Sequence, residues 1–258
     1  TTASNNTAVG YQAGYTNSTG DALAAFGTYA LYSNTTGAQN AAFGYQALYS
    51  NTTGNYNVAV GKNALQSNTT GSRSIAIGYQ AGYSNTTGAI NAIGDGALYS
   101  NTTGAGNVAL GGGNNTALYP SLYANTTGNY NTAVGMGSLG QNTTASNNTA
   151  VGYQAGYSNV TNQGGTFLGA FAGYYVTGDY NTAVGRYSGG TQAASTGSNN
   201  TSVGNTAGYR LTSGSNNTAI GDSALLNNTT ASNNTAVGYQ SLYNTTAAES
   251  TAIGYQAG

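Results

Sequence analysis

The chain has 258 residues, 41 of them Gly and 23 Tyr, with four basic and five acidic side chains and a formal net charge of -1. It has no His, Cys or Trp, which excludes an imidazole base, a thiolate nucleophile, a zinc-finger site and a disulfide framework. Charged residues make up 3% of the chain against about 25% in ordinary soluble domains, so the cationic footprint that nucleic-acid binding needs is missing too, and no run of about 20 apolar residues is long enough to span a bilayer.

From the first residues onward the chain repeats itself, the signal to test before any other. A Gly closing an apolar pair stands at Gly10, Gly27, Gly44, Gly61, Gly78, Gly94, Gly111, Gly135, Gly152, Gly169, Gly185, Gly204, Gly221, Gly238 and Gly254. The spacings between these markers are 17, 17, 17, 17, 16, 17, 24, 17, 17, 16, 19, 17, 17 and 16. The unit reads N-T-A-V-G-Y-Q-A-(L or G)-Y-S-N-T-T-G-x-x, and residues 1–258 form one continuous array with no linker. Gly in every unit and the turn-rich N-T-T-G argue against helix. Two short extended runs per unit are predicted, T-A-V before the marker and Y-Q-A-(L/G)-Y after it. Stacked at one coil per unit, they give an all-β, parallel β-solenoid of about 15 coils with a period of 17 residues.

Neighbouring residues of a strand point to opposite faces. Two residues before the marker stands Ala in thirteen units, with Phe167 and Ser202 the exceptions. The residue after it is always larger: Val9, Phe26, Phe43, Val60, Ile77, Ile93, Leu110, Val134, Val151, Leu168, Val184, Val203, Ile220, Val237 and Ile253. If the Ala row fills a thin interior, the larger row lies outside as a long apolar strip, which soluble monomers rarely leave exposed. A second copy of the chain is the simplest cover, so the strip is an expected seam of a homo-oligomer. After the marker, the same alternation places Ala13, Ala47 or Ala81 on one face and Leu48, Leu65 or Gly82 on the other.

The unit N-T-A-V-G-Y-Q-A, with its variants from Ser74 to Ala81 and from Asn217 to Ala224, resembles the head repeat of YadA-type trimeric autotransporter adhesins and is similar to repeats of phage tail-fibre and related fibre-like proteins. That resemblance implies a left-handed parallel β-roll, three chains about one axis, display at a cell or virion surface, and attachment to surface glycans or a host receptor. The family's usual coil is somewhat shorter, and the charged neck, heptad stalk and membrane anchor of such adhesins do not occur in this sequence. Both ends cut a coil rather than cap it, which suggests excision from a longer array or end-to-end stacking into a filament.

N-T-T-G or N-T-T-A recurs at Asn34, Asn51, Asn68, Asn85, Asn101, Asn125, Asn142, Asn228 and Asn244. Local turn chemistry alone accounts for such a pattern, since Asn tolerates left-handed conformations and Gly supplies positive φ. The same triplets, like Asn114 in the long unit, are N-x-S/T acceptors for sugar on an exposed corner. O-linked sugar on Thr36, Thr53, Thr70 or Thr87 is an equal alternative, and either would hydrate a nearly uncharged surface.

Rows of Tyr beside and five residues after the marker, such as Tyr11 and Tyr15 or Tyr45 and Tyr49, are either ladders that stack for stability or contacts for carbohydrate and surfaces. The long unit between Gly111 and Gly135 carries the only Pro; a loop there would offer Tyr119, Pro120 and Tyr123 for surface contact. The acids stand singly, in separate units, which argues against a glycosidase pair, and no cofactor or metal motif occurs. The functional expectation is a structural or adhesive extracellular fibre or filament subunit, not an enzyme. A receptor-binding fibre shaft and an ice- or carbohydrate-binding solenoid are the alternatives. Ice binding needs a regular Thr array, which Ala24, Ala41, Val58 and Ile75 interrupt.

Overall fold

The structure, a computed structural model, describes residues 2–113, 119–190, 192 and 194–258. Asn114, at the centre of the long unit, lies outside the described residues. The chain divides into two units, Thr1–Asn131 and Thr132–Gly258. The first carries β1 (Thr7–Val9), β2 (Ala24–Phe26), β3 (Ala41–Phe43), β4 (Val58–Val60), β5 (Ile75–Ile77), β6 (Ile90–Ile93) and β7 (Asn107–Leu110). The second carries β8 (Thr132–Val134), β9 (Thr149–Val151), β10 (Thr166–Leu168), β11 (Thr182–Val184), β12 (Thr201–Val203), β13 (Thr218–Ile220), β14 (Thr235–Val237) and β15 (Thr251–Ile253).

Within each unit, successive strands pair in parallel, and each residue faces its counterpart one coil on, as in Ala42 with Ala59 or Ala219 with Ala236. The molecule is therefore an all-β parallel solenoid with a period near 17 residues. The strands are short because the marker Gly ends them. All fifteen markers have φ between 117° and 157°, a region that is essentially closed to residues with a Cβ. A Cβ on Gly44 would also meet the carbonyl oxygen of Gly61 at 2.5 Å, so stacking and backbone conformation both demand Gly at this place.

The expected second strand does not form. Y-Q-A-(L/G)-Y forms turns, bends and irregular backbone rather than strand among the described residues, because its second and fourth residues take left-handed conformations, as in Gln46 at φ 55° and Leu48 at φ 52°. This overturns the alternation expected after the marker: Ala47 and Leu48 are both fully buried, as are Ala64 and Leu65. A left-handed Leu costs about 1–2 kcal/mol, while burying its side chain contributes about 1.5–3 kcal/mol, so burial wins. Gly takes the same place without strain where a neighbour supplies the volume. A Cβ on Gly82 would lie 2.8 Å from Ile90 Cδ1, and one on Gly173 would lie 2.2 Å from Phe167 Cδ1.

The interior is thin and half polar. Ala of the strands is buried from Ala25 to Ala236, and the exceptional Phe167 and Ser202 are equally buried. Two columns of Asn share this interior. One is the Asn of N-T-T-G, in which Asn51 Nδ2 donates to Asn34 Oδ1 at 2.8 Å and to the Gly54 carbonyl at 3.1 Å. The other stands four residues before the marker, where Asn57 N donates to Asn40 Oδ1 at 2.9 Å and Asn57 Nδ2 to the Gly71 carbonyl at 2.8 Å. Amides such as Asn51 and Asn57 thus bond from one coil to another, which gives a buried polar group the partner it requires.

Candidate functional site

Each residue of the N-T-T-G corner has a separate task. The Asn is in the core. The first Thr bonds between coils, Thr35 Oγ1 donating to the Thr52 carbonyl at 3.0 Å, and the backbone N–H groups of Thr35, Thr36 and Gly37 converge on that same carbonyl at 3.0–3.1 Å. The second Thr faces solvent at Thr36, Thr53, Thr70 and Thr87. The Gly lets coils approach, since a Cβ on Gly54 would lie 2.2 Å from the Gly71 carbonyl oxygen. The exposed corner expected of an N-linked acceptor is therefore not found at Asn34, Asn51, Asn68, Asn85, Asn101, Asn125, Asn142 or Asn228, all at 0% exposure. The amides of Asn34 to Asn125 serve as ladder rungs, and those of Asn142 and Asn228 donate to the carbonyls of Ala145 and Ala231. Asn244 is exposed, as are the four threonines, so the corner presents hydroxyls where the sequence pattern points to amides.

The outward strand row stands where the pattern places it. In the first unit Phe26, Phe43, Val60, Ile77, Ile93 and Leu110 are 37–41% exposed, and Phe26 stacks on Phe43 with centroids 5.0 Å apart. In the second unit Val151 and Ile220 are exposed to the same degree, while Val134, Leu168, Val184, Val203 and Val237 are half-buried. Val9 and Ile253, in the first and last strands, are more exposed still. The same face carries a second outward row two residues earlier. That row is mixed in the first unit, with Ala24, Ala41, Val58 and Ile75, and becomes an unbroken column of eight Thr from Thr132 to Thr251 in the second.

Tyr five residues after the marker stacks between coils. Tyr15 lies on Tyr32, Tyr32 on Tyr49, Tyr83 on Tyr99 and Tyr157 on Tyr174, with centroids 5.0–5.4 Å apart. Burial raises the Tyr99 and Tyr174 hydroxyls above their ordinary pKa, and neighbouring tyrosines add to the shift, so both phenols are neutral donors and acceptors at physiological pH. The scarce cations also sit on rings: Lys62 lies 5.9 Å from Tyr45 and 5.7 Å from Tyr79, Arg73 lies 5.9 Å from Tyr56, and Arg186 lies 4.4 Å from Tyr187. Contacts of this kind attract a cation to the ring face.

Of the three residues expected at the surface of the long unit, Tyr119 is 41% exposed. Tyr123 instead continues the ladder above Tyr99 at 5.3 Å, with Tyr119 5.2 Å beyond it. Pro120 is buried, packed where a Cβ on Gly96 would stand, which removes it from any surface contact.

One concave feature has no counterpart among the sequence-based expectations. Gln154, Phe171, Tyr174, Tyr175 and Tyr187 line a cavity of about 210 Å³ in the second unit. Its signal in the sequence is the doubled Tyr174-Tyr175, followed one coil later by Gly190 in the place of the ladder Tyr. No protein-family model matches the chain, and no curated protein matches it either.

Proposed function

We propose that this chain is a rigid shaft segment of an extracellular fibre that associates with copies of itself through its strand face. The observation that carries the reading is the outward apolar row from Phe26 to Leu110, evenly 37–41% exposed over six successive coils. Such a strip is larger than isolated surface apolars and has the character of an interface. Its period is that of the coil, so a second copy in register meets it row for row. The inter-coil bonding supports the shaft reading, because buried amides such as Asn51 and Asn57 bond to the neighbouring coil. Sedimentation of the intact chain tests this: multimers are expected, and the combined substitutions Val60→Lys, Ile77→Lys and Ile93→Lys should reduce them to single chains with unchanged β-sheet circular dichroism. A wild-type mass of 25.7 kDa would overturn the proposal.

Sugar on this fibre would reside on the exposed hydroxyls of Thr36, Thr53, Thr70 and Thr87 and on Asn244, where the atoms are accessible. Intact mass of the native protein should exceed 25.7 kDa, with the added mass on peptides containing these residues and none on the buried ladder asparagines.

A further inference from the structure

The aromatic cavity of the second unit is a break in the column of stacked tyrosines. Tyr157 and Tyr174 stack at 5.1 Å with planes 11° apart. The next coil places Gly190 where the third ring of that column would stand. Tyr175 instead stands against Tyr174 at 4.5 Å and 83°, while Phe171 and Tyr187 stack beside it at 4.9 Å and 11°. Two ring planes at nearly a right angle form a corner, with one flat face to cover and one edge to meet.

The chemistry of the walls selects the occupant. Three phenols and one amide supply the polar groups, and Gln154 makes no side-chain hydrogen bond among the described residues, whereas the equivalent Gln46 accepts from Asn63 at 3.0 Å. Among the described residues no acid lines the cavity, and the cation Arg186 lies over Tyr187, so neither a cation nor a phosphate is matched. The volume of about 210 Å³ is below the roughly 300–1,000 Å³ of pockets for drug-sized ligands, which fits a single ring. A ring with an apolar face and a rim of hydroxyls uses every wall. An aromatic side chain would leave the Gln154 amide unanswered, at a cost in affinity.

We propose that this cavity binds a neutral pyranose ring, its C–H face stacked on the tyrosine corner and its hydroxyls directed to Gln154 and the phenols of Tyr174 and Tyr175. Saturation-transfer NMR on the intact chain tests it with methyl glucopyranoside, methyl galactopyranoside and methyl mannopyranoside as probes, and with N-acetyltyrosinamide as the aromatic competitor. At least one pyranoside should receive saturation at its ring C–H protons. Tyr175→Ala should weaken its binding roughly three- to tenfold, as loss of one stacking face implies; Tyr175→Phe should retain most of it, and Gln154→Ala should weaken it as well. Circular dichroism checks that each variant keeps the solenoid. Saturation of no pyranoside, a signal unchanged in Tyr175→Ala, or saturation of N-acetyltyrosinamide alone would overturn the proposal.

Discussion

The two units build the same coil but place their longest amide ladder on different sides of it. In the first, seven asparagines from Asn17 to Asn125 form a continuous ladder at the N-T-T-G corner, with Nδ2 to Oδ1 distances of 2.7–3.1 Å. Its second column, four residues before the marker, is interrupted by Leu23 and Ile90. The second unit reverses this. Val176, Ser195 and Leu211 occupy the corner column, while the other column runs through Asn181, Asn200, Asn217 and Asn234, each backbone N–H after the first meeting the previous Oδ1 at 2.9–3.0 Å. An amide ladder thus runs the length of the corner column in the first unit, and from Asn181 to Asn234 in the other column of the second, where Gly165 interrupts it one coil earlier. The outer faces differ in one row as well: two residues before the apolar row, the first unit carries mostly apolar side chains and the second carries Thr throughout.

The sharpest test of this trade is the place where an apolar side chain replaces the ladder. Phe167 fills the space of three absent side chains, since a Cβ on Gly156, Gly165 or Gly173 would lie 2.2–2.6 Å from its ring. Phe167→Ala should therefore cost about 3–5 kcal/mol, read as a lower denaturant midpoint and as faster amide exchange in the flanking coils. The ladders themselves should separate the units. Asn68 donates to Asn51 and Gly71 and accepts from Asn85, so Asn68→Ala is expected to cost about 2–4 kcal/mol through several unmet buried groups. Asn228 bonds locally to Ala231 in an interrupted column, and Asn228→Ala should cost only about 1–2 kcal/mol. Equal losses measured in parallel urea titrations would show that ladder continuity carries no energy. The smallest effect has the opposite sign. Ser202 replaces the strand Ala and buries a hydroxyl without a partner, so Ser202→Ala should raise stability by about 1 kcal/mol, visible as a higher melting temperature.

Much of the coil is legible in the sequence, because its period and its Ala-before-Val pairs are direct consequences of strand geometry. The outward row from Val9 to Ile253 follows from that alternation alone. The run after the marker is different: its residues fit a strand by type, whereas Leu48 and its equivalents are held left-handed by burial that comes only from neighbouring coils. Taken one coil at a time, N-T-T-G looks like a turn or an acceptor. Its Asn is a bond between coils, and no local rule reports a partner about 17 residues away. The aromatic cavity is hidden for the same reason: it arises from a Tyr missing in one coil and doubled in the previous one.

By itself the sequence determined that this is a one-coil-per-repeat solenoid with a small-residue interior, since a marker Gly with a fixed spacing and alternating Ala and Val leave few other ways to satisfy the backbone. Only the tertiary structure decided which polar residues are inside. Burying an Asn is costly until a second Asn stands one coil away to share its hydrogen bonds, so whether that side chain is a core rung or a surface group depends on its stacked neighbours rather than on the residues next to it in the chain.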